Sequence, residues 1–136
     1  MGTDVYGFKM IQVKEIEKIM RKERALLIDL RDEESFREGH MKYARNFPIS
    51  YIDEWKEALS NRISLILYCE HGNQSLLAAR KLRGRRGAVY TVVGGYQEYL
   101  KENEMFSGHP FMPFGRIKEI PSGHPSMPFG RIKEKD

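Results

Sequence analysis

An α/β fold built on a parallel sheet is the architecture that the sequence predicts, on three observations. Three short apolar runs do not alternate with polar residues, as expected of strands covered on both faces. Amphipathic segments of helical spacing stand between them. Strand and helix therefore alternate along the chain, the order that right-handed crossovers require. Length and composition agree: 136 residues, 40% apolar and 31% charged, suit one domain with a core of its own.

In chain order, residues 13–22 place Ile16, Ile19 and Met20 on one helical face. The run 25–30 (ALLIDL) is the first predicted strand, and 33–38 is a short acidic helix carrying Phe36. Residues 51–59 carry Ile52, Trp55 and Leu59 at helical spacing, and 63–68 (ISLILY) form the second strand. Residues 75–83 group Leu76, Ala79 and Leu82; 88–93 (AVYTVV) is the third strand; 96–102 is a last amphipathic helix. Five of the six prolines lie beyond residue 106, so the chain divides into a body, 1–106, and a tail, 107–136. The tail holds a near-exact duplication, SGHPFMPFGRIKE and SGHPSMPFGRIKE. Two copies are too few for a solenoid, and the segment has neither helical nor alternating period.

Several function classes fall away. A single cysteine excludes an internal disulfide framework. No run approaches the roughly 20 apolar residues of a membrane span, and the first nine residues lack the apolar stretch of a secretory leader, so a cytoplasmic location is expected. A net charge of +4 is no nucleic-acid signature, and the basic cluster Arg80, Lys81, Arg83, Arg85 and Arg86 has no aromatic stacking platform beside it. That cluster reads as the solvated, dipole-complementing end of a helix, or as a docking patch for an acidic partner.

Chemistry is expected where strands of an open parallel sheet end. Cys69 directly follows the second strand and opens the segment Cys69-Glu70-His71-Gly72-Asn73-Gln74-Ser75, which runs into a helix. Amide N–H groups in such a loop can form an anion nest, and the positive helix end favours a thiolate. A buried, inert cysteine closing the strand is the alternative. The lone cysteine and scattered histidines offer no zinc ligand set, and no cofactor is expected.

The run Leu27-Ile28-Asp29-Leu30-Arg31, followed by Glu34, Phe36, Gly39-His40-Met41, Ala44, Asn46 and Pro48, resembles the first signature of the rhodanese family. The Cys69 loop and the later Gly94-Gly95-Tyr96 resemble that family's active-site loop and its closing Gly-Gly-aromatic element. The resemblance runs from about residue 10 to 101. It implies a three-layer fold with a central five-stranded, mainly parallel sheet and helices on both faces. It also implies a sulfurtransferase or sulfane-sulfur carrier that forms a persulfide on Cys69, with residues 70–75 holding the anion. The donor would be thiosulfate, a polysulfide or a persulfide-bearing protein, and the acceptor a thiol or cyanide. Asp29 and Arg31 are read as an ion pair fixing the neighbouring loop, His40 as a turn cap, and Gly94 and Gly95 as a tight turn.

One departure bears on activity. Gln74 stands where sulfurtransferases of this family commonly carry Arg, which implies weak use of thiosulfate. Glu70 sets a negative charge beside the thiol, while His71 could supply a donor. Gln74 and Glu70 thus also suit an inactive binding or regulatory module with the same fold. A related cysteine phosphatase is disfavoured, because the position six after Cys69 is Ser75 and Arg80 lies more than a turn further on. Truncation after Phe106 is expected to keep cooperative unfolding, with a melting temperature within a few degrees of the full chain. Docking of even one tail phenylalanine would contribute about 1.5–3 kcal/mol and would show as a clear drop in thermal denaturation.

Overall fold

The structure, a computed structural model, describes residues 7–107. Of the Pro-rich duplicated tail, residues 108–136 lie outside the described residues. One five-stranded sheet organises the rest: β1 (Lys9–Ile11), β2 (Ala25–Asp29), β3 (Arg45–Asn46), β4 (Ser64–Tyr68) and β5 (Val89–Val92), in the order β1-β5-β4-β2-β3. Every neighbouring pair is parallel. The helices are α1 (Ile16–Lys22), α2 (Glu33–Glu38), α3 (Ile52–Ala58), α4 (Asn73–Leu82) and α5 (Gly95–Ser107). No helix among the described residues is long and apolar enough to cross a membrane.

The three predicted strands match β2, β4 and β5 with trimmed ends. Both edge strands, β1 and β3, lie outside the apolar runs, being only three and two residues long. Short 3-10 turns, Val13–Glu15 and Ile49–Tyr51, lead into α1 and α3, where a continuous α-helix was expected from residue 13 and from residue 51. The last helix extends to Ser107, beyond the predicted 102. Helix α4 begins at Asn73, so Asn73, Gln74 and Ser75 form its first turn and the loop proper is Cys69 to Gly72.

Side chains of a strand alternate between faces, and this assigns the two cores. Ile28 and Leu30, Leu65, Leu67 and Cys69 point to one face, where they meet Trp55 of α3 and Ala78, Ala79 and Leu82 of α4. Leu27, Ile66, Tyr68 and Val92 point to the other, against Ile16 of α1 and Tyr96 and Tyr99 of α5. Strand β4 is buried throughout, as a central strand must be. Buried Trp55 keeps its indole N–H satisfied on the Pro48 carbonyl at 2.8 Å. Ile66→Ala, at a fully buried position in β4, is expected to lower unfolding free energy by about 2–5 kcal/mol, read from urea denaturation at unchanged m-value.

Candidate active site

Cys69 follows the last residue of β4 and inherits the strand's alternation, which turns its side chain toward the α4 face. It is 1% exposed. Its Sγ accepts the amide N–H of Gly72 at 3.1 Å and that of Ser75 at 3.3 Å. Gly72 makes this return possible: its φ of +112° is left-handed, and an added Cβ would stand 3.3 Å from the Gly94 amide nitrogen. Buried Ser75 closes the turn by donating its hydroxyl to the Gly72 carbonyl at 3.2 Å. Of the candidate loop residues, His71, Asn73 and Gln74 are exposed, and the amides that reach the sulfur are those of Gly72 and Ser75.

The carbonyls of the loop face the other way. Helix α5 starts against them, with Tyr96 N–H donating to Cys69 O at 2.9 Å and Gln97 N–H to Glu70 O at 3.1 Å. Gly95 allows this approach, since a Cβ there would lie 2.3 Å from Cys69 O. Gly94 and Gly95 have φ of +82° and +58°. The first turn of α5 thus satisfies its own N–H groups while fixing which side of the loop shows amides to the sulfur.

Beneath the loop, on the opposite sheet face, lies a buried charged network. Asp29, fully buried, takes hydrogen bonds from the Arg31 amide at 2.9 Å, from Arg31 Nε at 3.0 Å, from Arg31 Nη2 at 2.8 Å and from the Tyr68 hydroxyl. Arg31 Nη2 also donates to Gly39 O at 2.7 Å, and its guanidinium lies 4.2 Å from the Tyr96 ring centre. Asn46 ties the backbone carbonyls of Asp29 and Arg31 together. Burial alone would lower the Arg31 pKa, but the Asp29 hydrogen bonds and charge outweigh it and raise it. Burial, together with the Asp29 charge, holds the Tyr68 hydroxyl well above the usual tyrosine range, so it remains a donor. Removing one partner of such a buried pair costs about 3–5 kcal/mol, because it strands the other.

Arg31 Nη1 reaches past the network to Glu70 Oε1 at 3.1 Å, and Gln97 Nε2 donates to Glu70 Oε2. The carboxylate set beside the thiol in sequence is thereby held by Arg31, which it shares with Asp29. Burial pushes the Glu70 carboxyl up, but hydrogen bonds from Gln97 and Arg31 overcome this and leave it below its ordinary 4.5. His40 stands at the end of α2, buried, its Nδ1 2.8 Å from Phe36 O and its ring stacked on Phe36 at 3.8 Å. That is the arrangement of a turn-capping side chain.

The structure brings Cys69, Glu70, Gly72, Ser75, Gly94 and Gly95 into one assembly and joins Asp29 and Arg31 to it through Glu70. Sequence reasoning did not assign supporting roles to Tyr68, Tyr96 or Gln97. Tyr96 carried a signal in the Gly-Gly-aromatic run; Gln97 carried none. Among the described residues no group of three or more His, Cys, Asp or Glu side chains could hold a metal ion.

A family model described as Rhodanese-like domain matches residues 12–102. A thiosulfate sulfurtransferase GlpE of Pseudomonas putida is 31% identical over 91 residues, 66% of this chain and 83% of the relative. A thiosulfate sulfurtransferase GlpE of Coxiella burnetii is 27% identical over 94 residues, 68% of this chain and 87% of the relative. The crystal structure of a rhodanese-related protein from Thermoplasma volcanium superposes with a TM-score of 0.63 at 23% identity, covering 70% of this chain and 93% of that one, and shares the fold.

Glu70→Gln isolates the carboxylate. Its folded pKa is depressed, so its contribution to stability is full above 4.5 and is lost as pH falls through the folded value. The wild type should therefore be the more stable of the two near neutral pH, with the difference vanishing in acid. Urea denaturation across that range measures it.

Proposed function

This chain belongs to the rhodanese-like domain family, and from that premise we propose that it carries and transfers sulfane sulfur as a persulfide of Cys69. The convergence of the Gly72 and Ser75 amides on Cys69 Sγ, where α4 begins, is the observation that supports this most. Amides and the positive helix end stabilise a sulfur anion at that point without any metal or organic cofactor.

The reaction is a double displacement. The Cys69 thiolate attacks the outer sulfur of thiosulfate; the Cys69 S–S bond forms, the donor S–S bond breaks, and sulfite leaves with the electron pair. The persulfide, Cys69–S–S⁻, is held by the loop amides. Cyanide or a thiolate acceptor then attacks the outer sulfur, yielding thiocyanate or a new persulfide and returning the Cys69 thiolate. Electrons balance in each step, so no external oxidant or reductant enters.

The remaining residues position this loop. Gly72 and Ser75 shape it, Gly95 lets α5 hold its carbonyls, and the Asp29–Arg31 pair holds Glu70. Exposed Gln74 supplies hydrogen bonding and no charge, which suits a protein persulfide donor better than a small dianion such as thiosulfate. A persistent free thiol fits the reducing cytoplasm.

Incubation with thiosulfate or a polysulfide is expected to add the mass of one sulfur to the intact protein. Cyanide should remove it, and Cys69→Ser should never acquire it. Absence of the adduct with every sulfane donor would leave a non-catalytic binding module as the reading of this fold.

A further inference from the structure

The N-terminus of α4 faces Cys69, and its ten residues carry the chain roughly 15 Å to the opposite end of the domain. There the ends of α3 and α4 and the turn that follows border an open cleft of about 330 Å³, within the range of small-ligand pockets. Its walls bring Lys56, Lys81, Arg83 and Arg85 together against one carboxylate, Glu57. Lys81 has an exposed partner in Asp53, 3.5 Å away.

Arg85 is in a different position. Its Nη2 donates to the carbonyls of Ser60 and Ile63, its Nε is buried with no acceptor, and among the described residues it has no ion-pair partner. Burial lowers its pKa, as it does for a cation taken from water without a counter-charge. Cations at the C-terminal end of α4 complement the helix dipole, and that accounts for Arg80 and Lys81. It does not account for Arg85, whose hydrogen bonds go to the segment entering β4. Gly84, between the two wall arginines, has a φ of +96° with nothing within 4 Å of an added Cβ, so the turn leaves open space beside them.

We propose that this cleft binds a small polyvalent oxyanion of the phosphate class, such as pyrophosphate or a phosphate monoester, at a site separate from the Cys69 loop. The Arg83 guanidinium and Nη1 of Arg85 offer donors to the oxygens of such an anion, and the ammonium of Lys56 adds a third charge to the wall. The cations line one open cleft rather than a long stripe, which suits a compact anion rather than an extended acidic segment. The site stands independently of the sulfur chemistry.

Titration of the ¹⁵N-labelled full chain with inorganic pyrophosphate tests it. Saturable shifts centred on the amides of Asn61, Gly84 and Arg85, with those of Gly72 and Ser75 unmoved, are expected. Affinity should fall about tenfold in Arg83→Ala and in Lys56→Ala, as for loss of one charged hydrogen bond. These variants leave the carbonyl contacts of Arg85 in place, and their fold is checked by their unperturbed spectra. Shifts centred on Gly72 and Ser75, wild-type affinity in both variants, or no saturation at millimolar pyrophosphate would each overturn the proposal. So would binding of polyglutamate without binding of pyrophosphate, which would assign the cleft to an acidic protein partner.

Discussion

The structure depends most on the buried pair of Asp29 and Arg31. A carboxylate at the end of a central strand, fully buried, requires compensation for lost hydration, and Arg31 supplies it through its backbone amide and its side chain together. Arg31 still has donors to spare. It spends them on Gly39 O and Glu70, so one guanidinium joins the end of β2, the turn after α2 and the Cys69 loop. The planar fork and the stacking on Tyr96 are properties of arginine that lysine lacks.

The period of the strand divides the labour between faces. Tyr68 and Cys69 are neighbours in sequence, yet one points into the charged network and the other into the apolar core beside α4. The Cys69 sulfur is therefore held away from the buried ion pair, although both are fixed to the same strand end. Helix α5 completes the separation by binding the loop carbonyls, which leaves amides for the sulfur.

Local pattern made much of this legible. The apolar runs of β2, β4 and β5 announce themselves because they are buried on both faces, and Cys69 stands out because it follows one of them. Strands β1 and β3 did not, since Lys9–Ile11 and Arg45–Asn46 are too short for a period to appear; their place is set by pairing with β5 and β2. Asp29 and Arg31 are two residues apart and could be paired from sequence, whereas Glu70 meets Arg31 across 39 residues and Gln97 across 27. Contacts of that range follow from crossover topology and carry no local signal. The same holds for Arg85, which reads as one more cation in a basic run until its contacts with Ser60 and Ile63 are seen.

The brevity of β1 and β3 bears on strand pairing between copies of the folded domain. Strands β4 and β2 are apolar ribbons of the kind that recruit other chains when their hydrogen-bonding edges are open. In the folded sheet both are interior, and the borders are a three-residue and a two-residue strand bearing Lys9 and Arg45. Each border presents few unpaired backbone groups, with a charged residue among them, so cross-β growth finds little template on the native protein. Aggregation of this domain should accordingly follow the population of its unfolded state.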